Sequence, residues 1–201
     1  MTVRGLLVDY GGVLTTDVFA SFDTFCREEG LPPDTVKHLF RTDPTARELL
    51  CGLEEGTLSD AEFEERFAAL VGVEPAGLIE RMLGHAGPDH AMLDAVLAAR
   101  RHGIRTGLIS NSWGVSRYDR ARLDELFDGV IISGEVGLRK PAAEIYALGA
   151  RSVGLAPNDC VYVDDLPGNL KPARELGMTT LHHRDAATTI AALVELLGVP
   201  L

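Results

Sequence analysis

Val3-Arg4-Gly5-Leu6-Leu7-Val8-Asp9-Tyr10-Gly11-Gly12-Val13-Leu14-Thr15, residues 3–15, is the stretch whose reading decides the fold. Its apolar run, Leu6-Leu7-Val8, stops on a carboxylate, and two glycines follow almost at once. A buried strand that hands an Asp to a glycine-bent loop exposes that carboxylate at the carboxyl edge of a sheet. Taken alone, the same residues also describe an Asp that caps a turn. Partners elsewhere in the chain must separate the two readings.

The next strand-like segment comes only after residue 84. Between them the pattern is helical throughout. Asp17 caps a helix carrying Phe19, Phe22, Phe25 and Cys26, with Gly30 at its end. Pro33-Asp34 opens a short helix, and Asp43-Pro44 is a cap followed by a first-turn proline. Ser59-Asp60-Ala61-Glu62 reads as a capping box ahead of Phe63, Phe67, Leu70 and Val71, and Pro75 opens a helix through Met82. The acidic face at Glu62, Glu64 and Glu65 reads as solvated. These helices read as an inserted all-α domain over 16–85, with a core domain made of 1–15 and 86–201.

From Pro88 onward helices and strands alternate with short connections. The expected elements are a helix at 88–102, a strand at 104–109, a helix at 115–126, a strand at 130–132 and a loop at 134–137. A helix then begins near Pro141, followed by a strand at 160–163, a helix at 170–176, a strand at 178–181 and a helix at 186–197 behind Asp185. Such alternation predicts an α/β fold, a Rossmann-like doubly wound parallel sheet with helices on both faces.

In a parallel sheet all carboxyl ends lie on one edge, so residues distant in sequence meet there. Four strand ends or following loops carry polar groups: Asp9, Ser110-Asn111, the loop before Lys140, and Asp164-Asp165. Carboxylates suit Mg²⁺, while an ammonium, a hydroxyl and an amide suit phosphoryl oxygens. A formal net charge of −11 argues against nucleic acid and against an anionic membrane surface. The apolar run near the N-terminus is too short for a signal peptide or a membrane span. Cys26, Cys51 and Cys160 are scattered and read as small buried hydrophobes in a reducing compartment. Together these point to a cytoplasmic protein.

Four segments in order carry a resemblance: Asp9–Thr15, Leu108-Ile109-Ser110-Asn111, Gly137-Leu138-Arg139-Lys140-Pro141, and Val161–Asn169 with Asp164-Asp165 at its centre. The chain resembles the haloacid dehalogenase superfamily with a C1-type helical cap. Asp164–Met178 is especially similar to the subgroup of soluble epoxide hydrolase phosphatase domains and bacterial sugar-phosphate phosphatases.

The resemblance implies a Mg²⁺-dependent phosphatase of a small phosphorylated metabolite, working as a monomer or homodimer. Asp9 would be the nucleophile. Asp9, the backbone carbonyl of Gly11 and Asp165 would bind Mg²⁺, with Asp164 acting directly or through water. Ser110, the backbone at Asn111, and Lys140 would hold the phosphate, and Asn169 would support the metal loop. Family phosphatases usually carry a second Asp two residues after the nucleophile, as general acid and base. Gly11 stands there instead, a loss of ~10²–10⁴-fold for a poor leaving group. An acyl or anomeric phosphate would suffer less, and a water, Thr15 or Asp17 could substitute.

The same resemblance leaves two alternatives. One is a metal-independent 2-haloacid dehalogenase, with Arg41 of the cap handling halide. The other is a catalytically weak relative that binds a phosphorylated ligand.

Overall fold

The computed structural model describes residues 3–201. Five parallel strands form one sheet in the order β3-β2-β1-β4-β5: β1 (Gly5–Val8), β2 (Arg105–Ser110), β3 (Gly129–Ile132), β4 (Cys160–Asp164) and β5 (Thr179–His182). The expected α/β class and parallel sheet are therefore present. β1 is central because all four of its residues are buried and apolar or glycine, as a strand covered on both faces requires. Its Val8 pairs with Leu108 of β2 and with Val163 of β4, so three carboxyl ends lie level on one edge.

Alternation along β1 fills two cores. Leu6 and Val8 face one cluster, with Val96 of helix α6 (His90–Arg101), Leu126 of α7 (Arg120–Leu126) and Leu193 of α11 (Ala186–Leu197). Leu7 faces the other, with Tyr146 of α9 (Ala143–Ser152) and Ala173 of α10 (Pro167–Glu175).

The segment between β1 and α6 is entirely helical: α1 (Val18–Glu28), α2 (Thr35–Thr42), α3 (Pro44–Glu54), α4 (Asp60–Val71) and α5 (Leu78–Leu83). These helices share their own core of Phe22, Phe25, Leu49, Phe63, Phe67 and Ile79. The caps read from sequence are formed. Asp17 accepts from the amides of Phe19 and Ala20, Asp43 from Ala46, and Asp185 from Thr188. Ser59 and Glu62 make the capping box. Where the chain enters and leaves this layer, Thr15 and Pro88 form a β-bridge, and Thr16 N donates to the Gly87 carbonyl at 2.7 Å.

Several elements differ from the sequence reading. The helix expected from Pro75 starts at Leu78, because Gly77 takes a left-handed conformation and Glu64 accepts from the Ile79 amide at 3.0 Å. Glu64 is thus a helix cap in addition to being part of an acidic face. The helix expected over 115–126 is broken: a 3-10 turn covers Val115–Arg117, and Asp119 caps a new start by accepting from Arg122 N. The expected loop at 134–137 is a one-turn helix, α8 (Ser133–Val136). Cys26 and Cys160 are buried, whereas Cys51 is partly exposed. Among the described residues no helix is long and apolar enough to cross a membrane.

Candidate active site

Asp9 directly follows β1, and its amide donates to the Val163 carbonyl of β4 at 2.9 Å. Ser110 ends β2, Asp164 ends β4, and Lys140 lies in the loop between α8 and α9. The fold brings all four to the same sheet edge. Lys140 Nζ stands 2.7 Å from Asp9 Oδ1 and 2.9 Å from Asp164 Oδ2. Burial would discharge this ammonium, but the two carboxylates prevail and its pKa is raised. Burial raises the Asp9 pKa, against the pull of Lys140 and with a further push from Asp164.

The two oxygens of Asp9 are not equivalent. Oδ1 accepts from Lys140 and from the Tyr10 amide at 2.7 Å, whereas Oδ2 has no hydrogen-bond partner among the described residues. Asp164 is different again. Its Oδ1 accepts from Leu166 N at 2.8 Å and Asn169 Nδ2 at 3.0 Å, and its Oδ2 from Lys140, Asn169 and the Tyr162 hydroxyl. Its lone pairs are largely occupied by protein donors, so it organises the site. Asp165 is the more accessible carboxylate of the pair.

Asp9, Asp164 and Asp165 offer oxygens within 4.8 Å of one another. Burial, and then the charge of Asp164, lift the Asp165 pKa to about 6. Carboxylates this close repel unless a cation shares them, and three hard oxygen donors fit Mg²⁺. Gly12 makes room for the cluster. Its φ is +73°, and a Cβ there would lie 2.5 Å from Asp165 Oδ2.

Asn111 clasps the lysine loop through its side chain: Lys140 N donates to Oδ1 at 2.8 Å, and Nδ2 donates to the Lys140 carbonyl at 3.1 Å. Its carbonyl accepts from Ser110 Oγ at 3.5 Å. Asn169 hydrogen-bonds both oxygens of Asp164 and also lines the cavity described below. Arg41 lines the cavity described below from an exposed position on α2. Thr15 Oγ1 donates to the Thr16 carbonyl and accepts from Gly12 N. Asp17 Oδ1 accepts from the amides of Phe19 and Ala20, and Asp17 is not among the residues that line the cavity described below.

Two residues were not found by sequence reasoning. Tyr118 places its hydroxyl 2.8 Å from Ser110 Oγ, and its pKa is raised by burial. Its position, eight residues past Ser110 inside what reads as one helix, gave no signal. Glu54, at the end of α3, is buried beneath the helical layer. Its Oε2 accepts from Arg139 Nε at 2.6 Å and from Asn111 Nδ2 at 3.2 Å, and its carbonyl accepts from Ser133 Oγ. Burial raises its pKa against the pull of Arg139. Nothing local distinguishes Glu54 from its partly exposed neighbour Glu55; only a long-range partner does.

A cavity of about 1190 Å³ opens above Asp9. Gly11, Ser110, Lys140 and Asp165 form part of its floor, and Phe19, Phe40, Leu50 and Trp113 of its wall. Trp113 also packs against the rings of Phe22, Phe40 and Phe63, so it serves both cavity and core.

A doubly wound parallel sheet with a lysine-paired aspartate after its first strand and two carboxylates at the end of its fourth defines an α/β core of one recognisable class. The chain belongs to the haloacid dehalogenase-like hydrolase family, which it matches over residues 3–177. It is 35% identical to bifunctional epoxide hydrolase 2 of Sus scrofa over 131 residues, which cover 62% of this chain and 24% of that protein. The chain thus spans about a quarter of that relative's length. It is 26% identical to a D-ribitol-5-phosphate phosphatase of Bacteroides thetaiotaomicron, covering 92% of this chain and 94% of the relative. A haloacid dehalogenase family enzyme from the same organism, solved with magnesium and inorganic phosphate, shares the fold with a TM-score of 0.69 at 23% identity, over 90% of this chain and 94% of that one.

Proposed function

We propose that this protein is a Mg²⁺-dependent phosphatase that hydrolyses a small phosphorylated metabolite through an aspartyl-phosphate. The observation that carries this reading is the Asp9 carboxylate, fixed at one oxygen by Lys140 and open at the other, beside Asp165. The phosphatase relative that aligns along nearly the whole chain supports it.

Asp9, the Gly11 carbonyl and Asp165 would hold Mg²⁺, with Asp164 reaching it through water because its own oxygens are engaged. The bound ion supplies charge neutralisation between nucleophile and phosphate. Lys140 and the Ser110 hydroxyl then orient the phosphoryl group so that Asp9 Oδ2 faces phosphorus. Tyr118 fixes the Ser110 hydroxyl, and Asn111 fixes the Lys140 backbone. The helical layer acts as a cap over residues 16–85, pivoting where Thr15-Thr16 meets Gly87-Pro88, and excludes bulk water when shut. Its enclosure favours small substrates over proteins and nucleic acids.

The test is hydrolysis of p-nitrophenyl phosphate and acetyl phosphate with and without Mg²⁺, for the wild type and Asp9→Asn. Metal-dependent turnover that Asp9→Asn abolishes is expected. Absence of metal dependence, or an Asp9→Asn variant as active as wild type, overturns the reading.

A further inference from the structure

Helix α2 turns a polar stripe toward the cavity above Asp9. Asp34 at its start and Lys37, His38 and Arg41 along it are spaced as neighbours on one helix face, and all of them line the cavity. This face is held in place from both sides. Phe40 stacks on Phe67 with ring centroids 4.8 Å apart, and Lys37 is tied to Asp23 of α1 at 2.8 Å.

The other Lys and Arg side chains around the cavity are matched by carboxylates of this chain. Lys140 pairs with Asp9 and Asp164, Lys37 with Asp23, Arg117 with Glu80, and Arg122 with Glu125. Arg41 differs. Its carbonyl accepts from Arg47 Nη2 at 2.6 Å, but its guanidinium has no ion-pair or hydrogen-bond partner among the described residues. This holds although the chain carries 30 Asp and Glu against 19 Lys and Arg. His38, one turn earlier, also leaves both ring nitrogens without a partner among the described residues. Asp34 starts two turns from Arg41, about 10 Å along the helix axis, and is not bonded to it.

We propose that the substrate carries a second anionic group, a carboxylate or a second phosphate, at the end away from the scissile phosphate, and that Arg41 and His38 receive it. This rests on the phosphatase reading above. An exposed arginine in open water needs no partner. At a cavity whose floor takes one anion, an unmatched guanidinium with an imidazole beside it is a fork of donors for another. Because α2 belongs to the helical layer, such a substrate touches both the layer and the sheet edge, and it favours the arrangement in which the two are closest.

The experiment measures kcat/KM in Mg²⁺ for alkyl phosphates, ω-carboxyalkyl phosphates and α,ω-alkanediol bisphosphates, each over a range of chain lengths. The best charged ester is expected to exceed the alkyl ester of equal length by at least about tenfold, and the two charged series show which anion is preferred. Arg41→Gln should erase that ratio, Arg41→Lys should keep part of it, and Arg41→Glu should bring it below one. Since the Arg41 guanidinium holds no partner within the fold, these variants should melt with the wild type. A ratio near one at every length, or a ratio that Arg41→Gln and Arg41→Glu leave unchanged, overturns the second-anion site, while turnover of p-nitrophenyl phosphate preserves the phosphatase reading. No turnover of any ester overturns both.

Discussion

Lys140 Nζ lies 2.7 Å from Asp9 Oδ1, with both side chains almost wholly withdrawn from water. This pair joins the loop after β3 to the end of β1, and Asp164 on β4 completes it at 2.9 Å. A buried charge that loses its partner is costly. Lys140→Met is therefore expected to destabilise the fold by about 3–5 kcal/mol, measured by urea denaturation without metal. Added Mg²⁺ should raise the midpoint of the variant more than that of the wild type, since it would replace the missing positive charge.

Gly12 and Gly11 should respond oppositely to a methyl group. Gly12→Ala forces a left-handed non-glycine residue, at a cost of about 1–2 kcal/mol, and drives its Cβ into Asp165. Mg²⁺ affinity, measured by titration calorimetry, is expected to fall by about 10–100-fold. Gly11→Ala has no such conformational conflict, and its melting temperature should stay close to that of the wild type.

Glu54 connects the helical layer to the loops after β2 and β3 through Asn111 and Arg139. Glu54→Gln keeps the shape but leaves the Arg139 guanidinium without its counter-charge. It is expected to cost about 1–3 kcal/mol and to speed amide exchange at the end of α3. KM should rise more than kcat falls, because the loss is in holding the layer shut over the substrate.

His183, which is not among the residues lining the cavity, gives a pH signature of its own. It is buried, its Nδ1 lies 2.9 Å from Thr189 Oγ1, and burial holds its pKa below the usual value of 6.5. The unfolded chain therefore takes up a proton that the folded chain resists. Its contribution is fully present above about pH 6.5 and is lost as pH falls from there through the lower folded value. A stability profile between pH 5 and 8 should show this fall, and His183→Gln should flatten it.

The parts of the fold and site that could be read in the sequence share a physical origin. Strands buried on both faces leave unbroken apolar runs, so Leu6–Val8 and Val161–Val163 are visible, as are the polar residues at which they end. Helix caps such as Asp17, Asp43, Ser59 and Asp185 act within three residues of themselves, so a local reading suffices. The break at Tyr118-Asp119, the single turn at Ser133–Val136 and the roles of Glu54 and Glu64 depend on partners far along the chain. They carry no local signal.

The sequence by itself determined a parallel α/β sheet with a helical insertion, and it determined which residue types would collect at the sheet's carboxyl edge: Asp9, Ser110, Asn111, Lys140, Asp164 and Asp165. Periodicity and strand termination are properties of the local chain, and a parallel sheet converts them into convergence. Only the tertiary structure decided how those residues divide the work. It filled the oxygens of Asp164 with protein donors, left Asp9 Oδ2 free, pressed Asp165 against Gly12, and faced the cavity with Phe19, Phe40 and Trp113. Hydrogen-bond saturation and burial are set by groups that meet only when the chain is folded.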